Sequence, residues 1–178
     1  ASSDDTRPLL VIPDSRGRIR NWRWWLSLPF WRAGVALCAR STPPSYLSYL
    51  QSAHVSSIVT GDDEVDLASA LEELSSRFGV RTVRTDSGGT LNGRLLIAGL
   101  VDEVSILVVP VVAGAESTVP LFSVPIGEQQ QPYYSLRLMS SERLDNGLLW
   151  LRYEVTSSCP HLTGRGPVRQ KTDKPVCW

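Results

Sequence analysis

This sequence of 178 residues has no net charge, no long apolar run and few lysines. The formal net charge is zero, with 18 basic and 18 acidic side chains, which argues against nonspecific nucleic-acid binding. The longest apolar runs, such as 106–113, fall far short of the roughly 20 residues that a membrane span needs. No cationic segment followed by an apolar one opens the chain. We therefore expect no nucleic-acid partner, no membrane partner, no secretion signal and a cytoplasmic location.

Cysteine is also scarce, and the three cysteines do not form a disulfide framework. Cys38 lies in an apolar run and is predicted to be a buried, inert thiol. Cys159 and Cys177 could pair in an oxidising setting. Together with His161 they offer only three potential metal ligands at no recognisable zinc-site spacing, so we predict no metal.

Lysine occurs only twice, at Lys171 and Lys174, and every other basic side chain is arginine or histidine. The end of the chain, residues 157–178, is rich in glycine, proline and charge and lacks hydrophobic periodicity. We therefore predict a folded domain over residues 1–156 followed by an irregular tail over 157–178.

Short strand-like and helix-like segments alternate along the first two thirds of the chain. The predicted strands are Leu9–Ile12, Gly34–Ala39, Ser57–Thr60, Val80–Thr85 and Val104–Val112, and the predicted helices are 45–53, 67–78 and 89–98. Asp66 and Gly79 have the residue types of a helix N-cap and a left-handed helix end. The run at 104–112 is almost wholly apolar, which is typical of a central strand covered on both faces.

A hairpin signal follows this alternation. Asn146-Gly147 separates two strand-like segments, 134–143 and 148–155, and both residues tolerate the positive φ of a two-residue turn. The order of elements predicts an α/β three-layer sandwich, with a mostly parallel central sheet and an antiparallel C-terminal hairpin.

The glycine pair in Ser87-Gly88-Gly89 lies where the fourth predicted strand turns into a helix. Ligands of open α/β sheets bind beyond the carboxyl ends of the strands, and a helix start offers unpaired amides. Glycine lets a phosphate approach the backbone, and Thr90 adds a hydroxyl donor. The pattern fits a diphosphate cradle, although an ordinary tight turn would have the same two glycines.

The stretch TDSGGTLNGRLLIAGLVDEVSILVVPVVAG, residues 85–114, resembles the reductase domain of the riboflavin-biosynthesis deaminase/reductase, the RibD C-terminal family. RPLLVIPDSRGRI, residues 7–19, is similar to that family's first strand and Asp-Ser-Arg turn. The resemblance implies a dihydrofolate-reductase-like fold. It also implies NADPH-dependent reduction of a ribosylamino-pyrimidine phosphate to its ribitylamino product in riboflavin biosynthesis.

The resemblance also implies roles for particular residues. Ser87 precedes Gly88, Gly89, Thr90 and Leu91, which match the family's NADPH diphosphate loop. Ser15 matches a cofactor contact after the first strand. Asp86 stands where the family usually has a glutamate that touches the pyrimidine, and its shorter side chain reaches less far. No catalytic acid or base is assigned, because the cofactor carries the hydride chemistry and the protein mainly orients the reactants.

Arg40 and Ser41 end the second predicted strand. In a dihydrofolate-reductase-like fold this position can face the cofactor's 2′-phosphate, and an arginine fork suits a phosphate dianion. A solvated surface arginine is the alternative, because the assignment rests on fold analogy.

The segment RNWRWWLSLPFWR, residues 20–32, interleaves tryptophan with arginine. A membrane-surface segment and a single-strand nucleic-acid stacking surface are two interpretations. We favour a third, a loop and short helix whose rings pack on the domain or on a partner copy.

The family normally has a longer segment before its Asp-Ser-Arg strand, and residues 1–6 have no counterpart of it. We therefore expect a homodimer or a requirement for a partner chain, and no turnover by an isolated monomer. The alternative function is that of a non-catalytic or fragmentary reductase-like domain acting in binding or assembly.

Overall fold

The computed structural model describes residues 5–112, 114, 120–123 and 134–158. The chain divides into two compact units, Ala1–Arg84 and Thr85–Trp178. The first unit contains β1 (Leu9–Pro13), α1 (Trp22–Ser27), β2 (Ala33–Cys38), α2 (Pro44–Ser52), β3 (Ser56–Val59) and α3 (Leu67–Phe78). The second contains α4 (Gly89–Ile97), β4 (Glu103–Val108), β5 (Tyr134–Arg143) and β6 (Leu149–Ser158). Among the described helices, none combines the length and the apolar character that crossing a membrane requires.

The first unit is built around a parallel three-stranded sheet of order β1-β2-β3. Side chains of β2 alternate between its faces. Ala36 and Cys38 pack with Trp22, Tyr46 and Leu50 in one cluster. The opposite face supplies a second cluster, which consists of Val35, Leu37, Ile58, Ala70 and Leu74. The central strand of this unit is therefore β2, covered on both faces.

Helix α3 begins and ends as its sequence predicts. The Asp66 carboxylate accepts hydrogen bonds from the backbone N–H groups of Ala68 and Ser69 at 3.1 and 3.2 Å. Gly79 ends the helix with a left-handed φ of 65°. Leu74 lies fully in the core because the apolar positions recur at helical spacing.

The tryptophan-rich segment forms α1 and places its first ring in the core. Trp22 is fully buried, and its indole Nε1 donates to the hydroxyl of Tyr46 at 3.0 Å. Trp24 and Phe30 remain exposed. The interpretation of this segment as a short helix that packs on the domain is confirmed for Trp22.

The cysteine prediction is confirmed for Cys38. Its thiol is free and buried, and burial raises its pKa to about 11. The thiol therefore stays protonated at neutral pH and is a poor nucleophile. Cys159, His161, Cys177 and the rest of the predicted tail lie outside the described residues.

The second unit contains an antiparallel three-stranded sheet of order β4-β6-β5. The β5–β6 hairpin is confirmed, and Asn146 and Gly147 are the central residues of its turn, with φ of 60° and 78°. The α/β class is also confirmed, with the strands divided between a parallel and an antiparallel sheet.

Two predicted strands differ from the structure. The segment 80–85 forms no strand, because no described strand pairs with it. Val80 packs against the second core cluster, whereas Val83 is half-exposed. The predicted central strand 104–112 is wrong as well: β4 spans Glu103–Val108 and forms an edge of its own sheet. Only Val104 of β4 is buried. The apolar sequence of this strand therefore does not mean that both of its faces are covered.

Candidate functional site

The carboxyl ends of β1, β2 and β3 bring the first group of predicted site residues together. Parallel strands in register end at the same edge of a sheet, so the residues that follow them become neighbours. Thr42 joins two of these ends: its hydroxyl donates to the carbonyl of Ser15 at 2.8 Å and accepts from the amide of Ala39 at 2.9 Å. Thr42 is buried and was missed by the sequence analysis.

Ser15 lies at this edge in a fixed position. Its hydroxyl oxygen accepts from the amide of Val65 at 3.1 Å, which ties the end of β1 to the loop after β3. Because the oxygen acts as an acceptor there, the hydroxyl proton can be donated to a ligand oxygen. Ser15 thus has one hydroxyl proton available for a polar partner at this edge.

Arg40 and Ser41 follow β2 at the same edge. Their backbone amides donate to the carbonyls of Gly61 and Asp62 at 3.0 and 2.9 Å. The Arg40 guanidinium pairs with the Asp62 carboxylate at 2.6 Å, and both side chains are largely exposed. An exposed pair of this kind contributes little to stability, so a stronger anion can displace the carboxylate.

A buried carboxylate, Asp14, stabilises the turn that follows β1 at this edge. Asp14 is 7% exposed and accepts from the amide of Ile19 at 2.8 Å, which closes the turn after β1. Burial raises the pKa of the nearby Tyr46 hydroxyl, and the Asp14 charge adds to that rise. Tyr46 therefore remains neutral and acts as packing and hydrogen-bonding support.

The second group of predicted residues surrounds the start of α4. Gly88 is the N-cap residue, with extended φ and ψ of −70° and 166°, and no side chain caps the helix. A Cβ added at Gly88 would meet nothing within 4 Å. A side chain at Gly88 would therefore meet no described neighbour, and the first amides of α4 receive no hydrogen bond from an N-cap side chain.

Gly89 makes a packing contact that the sequence does not predict. A Cβ there would lie 2.5 Å from the backbone oxygen of Pro120, and the Gly89 carbonyl accepts from the amide of Ser123 at 2.8 Å. A Cβ at Gly93, one turn later, would lie 2.1 Å from the carbonyl of Ser123. Both glycines allow residues 120–123, which we call the strap, to pack directly on α4.

Asn92 joins the glycine loop to the strap. Its side-chain Nδ2 donates to the carbonyls of Ser87 and Leu121, each at 3.1 Å, and its Oδ1 accepts from the Thr85 hydroxyl at 3.1 Å. The sequence analysis missed Asn92 and Gly93. An Asn-Gly pair inside a nine-residue helix was the available signal, because both are poor helix formers.

The remaining predicted residues flank this helix start. Asp86, Ser87 and Thr90 are exposed, and Leu91 is half-buried. The structure thus brings Ser15, Arg40 and Ser41 together in the first unit and 86–91 together in the second. In the described part of the chain no cluster of histidine, cysteine or carboxylate side chains could hold a metal ion.

This chain is similar in sequence to a pyrimidine reductase. A reviewed protein of Methanothermobacter thermautotrophicus, a 2,5-diamino-6-ribosylamino-4(3H)-pyrimidinone 5′-phosphate reductase, is 34% identical over 76 residues. That match covers 43% of this chain and 34% of the relative, so the chain matches about a third of the length of that protein.

Two solved structures share the fold. RibD of Acinetobacter baumannii superposes with a TM-score of 0.62 at 25% identity, over 82% of this chain and 37% of that one. A pyrimidine reductase-like protein of Corynebacterium diphtheriae gives a TM-score of 0.63 at 20% identity, over 85% and 62% of the two chains. The RibD C-terminal domain matches residues 1–150. With most of its length inside that match, the chain belongs to the RibD C-terminal domain family, as the resemblance of residues 7–19 and 85–114 implied.

Proposed function

We propose that this chain acts in the NADPH-dependent reduction of a ribosylamino-pyrimidine phosphate to the ribitylamino product of riboflavin biosynthesis. Family membership and the reductase from Methanothermobacter thermautotrophicus support the reaction class. The observation that carries the proposal is the start of α4, where no N-cap side chain binds the helix amides and a Cβ at Gly88 would meet nothing within 4 Å.

The start of α4 fits a diphosphate. Backbone N–H groups and the positive end of the helix dipole favour an anion there, and the missing Cβ of Gly88 lets its oxygens come close. Thr90, exposed in the first turn, adds a hydroxyl donor. The nicotinamide supplies the hydride chemistry, and the residues of this chain bind and orient the reactants.

The edge formed by Ser15, Arg40 and Ser41 fits the phosphorylated ribose of NADPH. A dianionic phosphate competes well for a guanidinium whose present partner is one exposed carboxylate. Asp86 is the proposed contact with the pyrimidine. A cytoplasmic location and a homodimer, or a partner chain, complete the proposal.

Substitution of Gly88 tests the proposal. Gly88→Asp introduces a good N-cap, so we expect an unchanged or higher melting temperature together with loss of NADPH binding in titration calorimetry. The loss has two causes, because the carboxylate occupies the helix amides and repels the diphosphate. Gly88→Asn is the matched control that caps without charge, and we expect it to weaken binding less.

The outcomes separate the two functions. Oxidation of NADPH with the ribosylamino-pyrimidine phosphate, followed by absorbance, supports the reductase, and binding without oxidation supports a non-catalytic binding domain. Unchanged NADPH affinity in Gly88→Asp would contradict the diphosphate site at α4.

A further inference from the structure

Asn92, on α4, makes three hydrogen bonds to two other segments of the chain. Thr85 and Ser87 belong to the loop before α4, Leu121 belongs to the strap, and Asn92 itself lies in the second turn of the helix. Its side chain is half-buried. One carboxamide therefore fixes the loop, the helix and the strap relative to one another.

The orientation of this carboxamide is determined by chemistry. The carbonyls of Ser87 and Leu121 can only accept hydrogen bonds, so both must face the NH₂ group of Asn92. The oxygen then faces Thr85, whose hydroxyl donates to it. The same Thr85 oxygen accepts from the Ser87 amide at 3.4 Å, which extends the network along the loop. No other side chain with one acceptor and two donors has this length.

The strap is held against α4 by more than Asn92. The Ser123 amide donates to the Gly89 carbonyl, and the bare backbone at Gly89 and Gly93 permits the contact. The strap therefore packs on α4 at Gly89 and Gly93, whereas a Cβ at Gly88 would meet nothing within 4 Å. A side chain at Gly88 thus makes no contact with the strap.

We propose that Asn92 is a positioning residue that locks the 85–88 loop to the strap and so preforms the anion-binding start of α4. This inference rests on the proposed function, because its ligand is the NADPH diphosphate. Asparagine and glycine are both poor helix formers, so the Asn92-Gly93 pair weakens a short helix. The three hydrogen bonds of the Asn92 side chain explain why asparagine stands at this position. A preformed loop raises affinity because less ordering is needed when the ligand binds.

The test combines ligand affinity with amide exchange in the full chain. Asn92→Ala should weaken NADPH binding about tenfold, as the loss of net hydrogen bonding to the loop predicts. It should also speed hydrogen exchange at the Ser87 and Ser123 amides together. Asn92→Asp keeps the acceptor for Thr85 but loses both donors, so it should not restore affinity. Leu96→Ala, at a buried site on the same helix, is the control for lost stability and should leave the affinity unchanged well below its melting temperature.

The results distinguish this inference from the proposed function. If the unmodified chain binds no NADPH, the proposed function fails, and the exchange rates alone decide whether Asn92 locks the loop to the strap. Wild-type exchange at Ser87 and Ser123 in Asn92→Ala overturns the lock. Equal losses of affinity in Asn92→Ala and Leu96→Ala overturn the positioning role, because a general loss of helix stability would then explain both.

Discussion

At the scale of single residues, Arg40 is the proposed contact with the 2′-phosphate that distinguishes NADPH from NADH. Its guanidinium already forms a short, exposed ion pair with Asp62, so a phosphate has to compete with a carboxylate. We expect Arg40→Ala to weaken NADPH roughly tenfold or more while NADH changes little, because only NADPH carries the 2′-phosphate. Titration calorimetry with both nucleotides measures the difference.

Asp62→Asn is the control for this residue. It releases Arg40 and should leave NADH unchanged while NADPH binds as well as before or better. Equal losses for both nucleotides in Arg40→Ala would assign Arg40 to the solvated surface, the alternative that its sequence left open.

Gly93 is a second residue whose role depends on direct contact. Because a Cβ would lie 2.1 Å from the Ser123 carbonyl, Gly93→Ala forces the strap or the helix to move. We expect a loss of about 1–3 kcal/mol in the free energy of unfolding, in the range of overpacked sites. This loss opposes the gain in helix propensity of up to ~1 kcal/mol that Ala brings. Denaturant titration measures the balance, and a stabilised Gly93→Ala would show that the strap does not need the bare backbone.

The glycine pair shows what sequence can and cannot reveal about such residues. Gly88 and Gly89 look equivalent in the sequence, and both matched one motif. The structure separates them: space surrounds a Cβ at Gly88, whereas a Cβ at Gly89 meets Pro120, which is 31 positions further along the chain. A contact between distant segments leaves no local pattern, so only Gly88 provides a test of ligand binding free of packing effects.

At the scale of elements, α3 is the helix whose ends are set by local chemistry alone. Hydrogen bonds from the Ser69 side chain and backbone lower the pKa of Asp66 below its ordinary value of 3.8. Since the folded-state pKa is lowered, the cap stabilises the protein above pH 3.8 and is lost as the pH falls through the folded-state value. Asp66→Ala should lower the melting temperature by a few degrees at neutral pH.

Asp66→Asn is the matched variant for the cap. Asparagine keeps the capping oxygen but has no carboxyl group to titrate. The Asp66→Asn protein should therefore melt near the wild type at neutral pH and lose less stability on acidification. Thermal melts at several pH values between neutral and acidic conditions measure both effects. An Asp66→Asn melt as low as that of Asp66→Ala would mean that the charge, rather than the cap geometry, stabilises α3.

Elements with strong local signals were predicted, and elements defined by their neighbours were not. The ends of α3 and the Asn146-Gly147 turn depend on a cap or on positive φ, which the sequence shows directly. The strand predicted at 80–85 needed a partner strand that the described residues do not provide. The apolar run at 104–112 suggested burial on both faces, although among the described strands β4 pairs with β6 alone and most of its side chains are exposed.

At the scale of the whole molecule, the α/β class and the family followed from the sequence because element order and motif are local properties. Ser15 and Arg40, which the sequence offered separately, lie at one edge because the strands before them are parallel. Asn92, Thr42 and Gly93 did not follow from the sequence, because each acts through a partner on another segment. The sequence thus yields candidate ligand contacts, while residues that join distant segments show only in the structure.

The edges of the antiparallel sheet carry a prediction about assembly. Strand β5 has charged side chains at Arg137, Glu142 and Arg143, which discourage edge-to-edge pairing, whereas β4 has no charged side chain after Glu103. We expect the chain to self-associate through β4 and to scatter light as a multiple of its 19.6 kDa mass. Leu107→Lys on β4 should shift the population to monomer, because a lysine at the edge opposes strand pairing. Leu138→Lys on β5 is the matched control, since both leucines are 52% exposed, and it should leave the mass unchanged.

A wild-type chain that is monomeric at all concentrations would contradict this assembly, and equal dissociation by both lysines would assign it to the sheet face instead of the β4 edge.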